Sequence, residues 1–286
     1  MKLLRIGDRG AERPAMLDAQ SKARDLSGIT DDITPEWLAS GGLAQLRGID
    51  TARLPLLSPE HRIGAPVSRI GKIVCVGLNY KDHAAEAGQE VPKEPILFIK
   101  ASHTVQGPND DIQLPRGSKK SDWEVELGVV IARRALYVSE DDALKFVAGY
   151  CVCNDVSERE FQLERGGQWD KGKNCDTFGP LGPFLVTPDE IADPQRLGLW
   201  LDVNDRRYQT GDTRTMIFGV RFLVHYISQF MPLEPGDVIS TGTPPGVGLG
   251  QKPPVFLRPN DRIRLGIDGL GEQSQRVTAW EAPHPG

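Results

Sequence analysis

Two carboxylates, Glu124 and Glu126, stand two residues apart in the segment 123–131 (WEVELGVVI), an otherwise apolar run. On a β-strand, side chains two apart share a face, so the pair projects together while Val125, Leu127 and Val129 pack behind it. Like charges side by side in an apolar setting repel each other and cost free energy unless something neutralises them. A divalent cation is the simplest remedy. Asp155, at the exit of an apolar strand predicted over 148–154, offers a third oxygen ligand. Three carboxylates without His or Cys suit a hard cation such as Mg²⁺, Mn²⁺ or Ca²⁺ and leave positions open for water or substrate. The competing reading is an edge strand with both glutamates in water.

A second group of reactive side chains follows the apolar strand predicted over 72–76. If His83 begins a helical turn, Glu86 lies at i+3 on the same face and holds one imidazole nitrogen, leaving the other to take a proton from water. An ordinary surface pair is the alternative. Lys173 lies in a polar, turn-rich segment 170–180, where a lysine near a cation and a carbonyl would stabilise a developing enolate. A solvated loop lysine is equally compatible. In 240–248 (STGTPPGVG), glycines permit close backbone approach and Thr243 offers a hydroxyl to an anionic group. A plain Gly/Pro turn has the same composition.

The elements that must position these residues are mostly strands. Apolar runs separated by Gly/Pro turns predict strands at 72–76, 96–99, 124–131, 148–154, 184–186, 197–203, 238–240 and 262–267. Before them, 1–6 and 15–17 read as short strands, and Thr34-Pro35-Glu36 opens a helix over 34–46. Residues 1–68 form a small N-terminal domain on this reading, and 69–286 a catalytic domain. Ser157-Glu158-Arg159-Glu160 has capping-box spacing, predicting a helix that stops at Gly166. Apolar residues at helical intervals predict a core helix over 215–231, with His225 structural. His61, His103 and His284 have no defensible partner in the sequence.

Composition excludes several classes of function. The 286 residues are 39% hydrophobic and 26% charged, an ordinary globular balance with length for a large core. A net charge of −5 without basic runs argues against nucleic acid or an anionic membrane as partner. There is no signal-peptide core and no long uncharged apolar stretch, so a cytoplasmic protein is expected. Four cysteines without a CxxC pair read as reduced thiols. GxSxG, HExxH and GxxxxGK[ST] are absent, and 246–250 (GVGLG) lacks the helix a dinucleotide fingerprint needs.

Taken together, the segments 77–86, 95–100, the Glu124/Glu126 pair, 154–162, 172–180 and 239–244 resemble the fumarylacetoacetate hydrolase family over roughly residues 70 to 270. The resemblance implies an α+β, β-rich fold, a mixed β-sheet roll with a small N-terminal domain, assembled as a homodimer. It implies Mg²⁺, or Mn²⁺ in its place, held by Glu124, Glu126 and Asp155. His83 and Glu86 would be the water-activating pair on a mobile lid and Lys173 the site lysine, with Tyr80, Lys100, Arg159, Gln162 and Thr243 lining the pocket. The wider pattern, including Asp122-Trp123 and 166–173 (GGQWDKGK), is similar to the branch of 2,4-diketo-3-deoxy-L-rhamnonate and L-fuconate hydrolases. Ureidoglycolate lyase, an oxaloacetate decarboxylase or hydratase-type relative, and an inert metal-binding relative are the alternatives.

Overall fold

The computed structural model describes residues 1–58, 61–86, 88 and 90–282, so His284 lies outside the described residues. Among those described, no helix is long and apolar enough to cross a membrane. The main strands are β1 (Lys2–Ile6), β2 (Arg13–Leu17), β3 (Ala23–Asp25), β4 (Lys72–Gly77), β5 (Ile96–Ala101), β6 (Val125–Ile131), β7 (Val147–Asn154) and β8 (Gly179–Val186). They continue with β9 (Gly198–Val203), β10 (Arg206–Asp212), β11 (Val238–Ser240), β12 (Arg262–Ile267) and β13 (Gly271–Thr278). Every predicted strand is present. The sequence reading did not anticipate the short β3, nor β10 and β13, whose residues are largely polar on their outward face.

The larger sheet runs β3-β2-β1-β8-β7-β6-β11-β4-β5, and the smaller one is built on β10-β9-β12-β13. This is the mixed, β-rich α+β architecture expected. One face of the large sheet, carrying Val74, Val125, Leu127 and Val129, packs on Leu199, Leu201, Ile263 and Leu265 of the small sheet. The other, carrying Ile73, Cys75, Val130 and Cys151, packs on Leu3, Leu26, Leu38 and Leu46. A strand covered on both faces reads as a continuous apolar run rather than an alternation, which is why β6 and β7 stand out in the sequence. Strand β1 pairs with β8, so residues 1–68 contribute strands directly to the large sheet.

Pairing directions explain where the site forms. Strand β6 is antiparallel to β7 and β11, with Glu126 opposite Cys153 and Gly128 opposite Ser240. Strand β11 is parallel to β4, with Ser240 opposite Cys75. The start of β6 and the ends of β7, β11 and β4 therefore meet at one edge of the sheet. The segments leaving that edge carry Glu124, Asp155, Thr241–Gly250 in numbering, and the helix Lys81–Glu86.

Three helix expectations are corrected. Ser157 does not cap a helix: Ser157 and Glu158 pair with Ser121 and Asp122, and the Ser157 hydroxyl donates to the Asp155 carbonyl. The helix that follows is a π turn, Glu160–Glu164, ending before Gly166. The long helix shrinks to Val220–Ser228, because the backbone at 217 and 218 bonds to Asn79 instead. The helix opened by Thr34, whose hydroxyl accepts from the Trp37 amide, breaks at Gly41, which adopts φ +82°.

Candidate active site

Glu124, Glu126 and Asp155 converge, all buried, with one oxygen of each within 4.8 Å of the others. Lys173 Nζ donates to Glu124 Oε2 and Asp155 Oδ2, both at 2.7 Å. Arg159 donates through NH2 to Glu124 Oε1 at 2.6 Å and through NH1 to Gln162 at 3.0 Å. Glu126 Oε2 accepts from the Ser240 hydroxyl at 2.6 Å and the Gly242 amide at 2.8 Å. Among the described residues Asp155 Oδ1 has no aligned hydrogen-bond donor, although the Lys100 ammonium lies 2.7 Å away. That contact is one of charge, without hydrogen-bond alignment; Lys100 donates to the Val156 carbonyl.

Burial opposes ionisation of Glu124, yet Lys173 and Arg159 overcome it and hold the carboxyl down to about 2. Glu126 goes the other way: burial, then the neighbouring charges of Asp155 and Glu124, push it well above the usual carboxylate range. Lys173 is also buried, but Asp155 and Glu124 hold its ammonium firmly protonated. The pocket floor is therefore one acidic oxygen cluster only partly neutralised by protein cations. Three buried carboxylates this close together, one of them pushed well above its ordinary range by burial and by the charge of the other two, are what a hard divalent cation would relieve. The donor set fits such an ion: Glu124, Glu126 and Asp155 would hold it.

His83 and Glu86 lie on the helix that caps the same cavity. His83 Nδ1 is 3.1 Å from Glu86 Oε2, and the Glu86 carboxylate also accepts the Gly246 amide at 3.0 and 3.1 Å. An ionised carboxylate only accepts, so Nδ1 carries the proton, and in the neutral imidazole Nε2 keeps its lone pair. Among the described residues Nε2 has no partner.

The cavity, about 680 Å³, is lined by His83, Glu86, Glu124, Glu126, Arg159, Gln162, Lys173 and Thr243. Its outer wall is largely apolar, with Val76, Ile96, Phe98, Leu163, Trp169, Leu249 and Pro254 beside Gln251 and Lys252. Two expected lining residues stand elsewhere. Tyr80 and Lys100 are fully buried behind the wall, where Lys100 pairs with Asp155 and the Tyr80 hydroxyl has no hydrogen-bond partner among the described residues. Thr243 lines the cavity, but its hydroxyl donates to the Val125 carbonyl and accepts from Gln209, so it ties the segment 241–250, the roof of the cavity, to β6.

Several contributors escaped the sequence reading. Trp169 packs edge-on against Phe98 at 5.5 Å, over Gly77, where a Cβ would meet the indole at 2.5 Å. A lone tryptophan in the polar stretch 166–173 was the available signal. Ser240 and the Gly242 amide, which hold Glu126, looked like parts of a turn. Gly246 was legible only as a turn glycine, though its amide anchors Glu86.

The fold and this acid-lined cavity define a class. The family model described as "Fumarylacetoacetate (FAA) hydrolase C-terminal" matches residues 72–278, and the chain belongs to that family. A Burkholderia cenocepacia (strain HI2424) protein, whose name goes no further than a provisional "hydrolase", is 61% identical over 278 residues, covering 97% of this chain and 99% of its own. The solved fumarylacetoacetate hydrolase of Exiguobacterium antarcticum superimposes with TM-score 0.87 at 34% identity, covering 98% of this chain and all of its own. Maleylpyruvate hydrolase from Sphingobium sp. SYK-6, solved with manganese(II) and pyruvate, gives TM-score 0.81 at 26% identity over 98% of this chain and all of its own. The chain is thus an enzyme of the fumarylacetoacetate hydrolase family.

Proposed function

We propose that this enzyme hydrolyses a carbon–carbon bond in a 2,4-dioxo acid, releasing pyruvate, with a divalent cation, Mg²⁺ or Mn²⁺, as cofactor. The observation that carries this reading is a single cavity holding the Glu124/Glu126/Asp155 cluster below and the His83–Glu86 pair above. A cation bound at the three carboxylates would supply Lewis acidity to the oxygens of the 2-keto acid head. Arg159 and Lys173 add fixed positive charge where the substrate carboxylate and a developing enolate would lie. His83 Nε2 takes a proton from water, whose oxygen bonds to the C4 carbonyl carbon. The C3–C4 bond breaks, its electron pair passes to C3 as the enolate of pyruvate, and the imidazolium returns the proton to C3. C4 leaves as a carboxylic acid.

The apolar outer wall suits a deoxygenated tail. This supports the resemblance to 2,4-diketo-3-deoxy-L-rhamnonate and L-fuconate hydrolases, whose substrate ends in a hydroxylated carbon and a methyl group and whose second product is lactate. The pyruvate in the Sphingobium hydrolase supports the same keto-acid product. A homodimer in the cytoplasm belongs to this proposal.

Purified protein assayed with Mg²⁺ or Mn²⁺ on a panel of 2,4-dioxo acids should release pyruvate and lose activity to a chelator. Glyoxylate from ureidoglycolate instead, or no turnover of any dioxo acid, would overturn the reading. Glu126→Gln should weaken Mn²⁺ binding at least tenfold, whereas His83→Ala should bind Mn²⁺ normally and lose roughly 10²–10⁴ in kcat.

A further inference from the structure

We propose that Asp122 is a positioning residue that locks the roof of the cavity to Arg159, making the seating of Glu86 and the orientation of Glu124 one cooperative unit. The inference rests on reading the cavity as catalytic. Asp122 is fully buried and both its oxygens are occupied from two sides. Oδ1 accepts the amides of Trp123 at 2.8 Å and Gly248 at 2.6 Å. Oδ2 accepts the Leu249 amide at 2.9 Å and Arg159 Nε at 2.8 Å. Only an ionised carboxylate accepts at all four sites.

Each side of Asp122 leads to one half of the machinery. Gly248 and Leu249 sit in the same short roof segment as Gly246, whose amide holds Glu86 and through it His83. Arg159 continues to Glu124, the first of the three clustered acids. A Cβ at position 248 would stand 2.7 Å from Asp122 Oδ1 and 2.0 Å from the Val255 carbonyl, so the approach of amide to carboxylate requires glycine there. The result is an unbroken path of charge-assisted contacts: His83, Glu86, the roof segment, Asp122, Arg159, Glu124. Two anchors on one short segment must couple, because freeing either end lets the segment move away from the other.

Asp122→Asn is isosteric but turns one acceptor into a donor, so it faces the roof amides or Arg159 donor to donor. Residue-resolved amide exchange should then rise at Gly248 and Leu249 and also at Gly246, by about tenfold or more, since a charged hydrogen bond contributes more than 1 kcal/mol. Glu86→Ala should do the reciprocal, raising exchange at Gly248 and Leu249, which Glu86 does not touch. With a dioxo acid, Asp122→Asn should lower kcat about 10²-fold, the scale of a misplaced reacting group, while KM stays within about threefold; because Arg159 orients Glu124, Mn²⁺ affinity should fall about tenfold as well. Unchanged exchange at Gly246 in Asp122→Asn, or at Gly248 and Leu249 in Glu86→Ala, would overturn the coupling. So would an unchanged kcat. Should Asp122→Asn not fold, the Glu86→Ala exchange decides alone. If the wild type turns over no dioxo acid, the proposed function fails, and the two exchange measurements still decide whether the anchors are coupled.

Discussion

At Lys173, stability and the proposed chemistry meet in one side chain. Its ammonium touches Glu124 and Asp155 at 2.7 Å, with the Phe98 ring 4.9 Å away. Removing one partner from a buried ionic cluster strands the others, at a cost of about 3–5 kcal/mol. Lys173→Met should therefore lower the melting temperature sharply in metal-free protein. A divalent cation at the same acids would replace the lost charge, so added Mn²⁺ should raise the variant's melting temperature more than the wild type's. Equal shifts in the two proteins would mean that Mn²⁺ does not bind where Lys173 acts. The residue types at 83, 86, 124, 126, 155 and 173 were legible in sequence. That Lys100 and Tyr80 stand behind the wall was not, since burial depends on strands distant in the chain.

At the scale of elements, the roof segment is held by backbone conformation as much as by side chains. Gly246 has φ +107°, and a Cβ there would stand 1.9 Å from the Tyr208 carbonyl oxygen of β10. The Trp123 indole donates to the Gly246 carbonyl, fixing the segment from below. Gly246→Ala must shift the segment, costing about 1–3 kcal/mol for the strained backbone alone. It should also free the Glu86 carboxylate and depress kcat more than it depresses Mn²⁺ affinity. Equal losses in both would show that the roof shapes the metal floor directly. Strands of the doubly covered sheet were readable because their apolar runs are continuous, whereas Ser157 misled because backbone pairing with Asp122 outcompeted a local cap. Local signals fail where a distant segment claims the same amides.

For the whole molecule, residues 1–68 are tied to the remainder by half-buried charge as well as by β1 pairing. Arg62 donates to Asp110 at 2.6 and 2.7 Å and to Glu12 at 2.8 Å, and Arg9 reaches the same Asp110. Burial works to raise both carboxyls, but the Arg62 hydrogen bonds dominate, helped at Glu12 by backbone amides and the charge of Arg5 and at Asp110 by the Gly107 amide and the charge of Arg62, and both are held below their ordinary values. A depressed carboxyl stabilises the fold above its unfolded value, about 4, and that contribution fades as pH falls through the folded value. Arg62→Met should thus be less stable than wild type at pH 7, with the gap narrowing below about pH 4 in denaturant titrations. A gap that is constant with pH would mean that packing of the arginine stem, not its charge, is what Arg62 contributes.

Sequence alone determined the side chains available for chemistry: three carboxylates able to offer oxygens to a hard cation, a histidine with its carboxylate at i+3, a lysine in a polar turn, and the apolar strands between them. Those are local properties, fixed by residue type, spacing and the two-residue period of a strand. Tertiary structure decided the assembly. The parallel pairing of β11 with β4, beside the antiparallel β6 and β7, brings four strand ends to one edge, and no spacing along the chain encodes that direction. It also decided which polar groups are occupied by the protein itself, giving the Thr243 hydroxyl to Val125 and Asp122 to the roof, because a buried hydrogen-bonding group takes the partner that the packed fold places within reach.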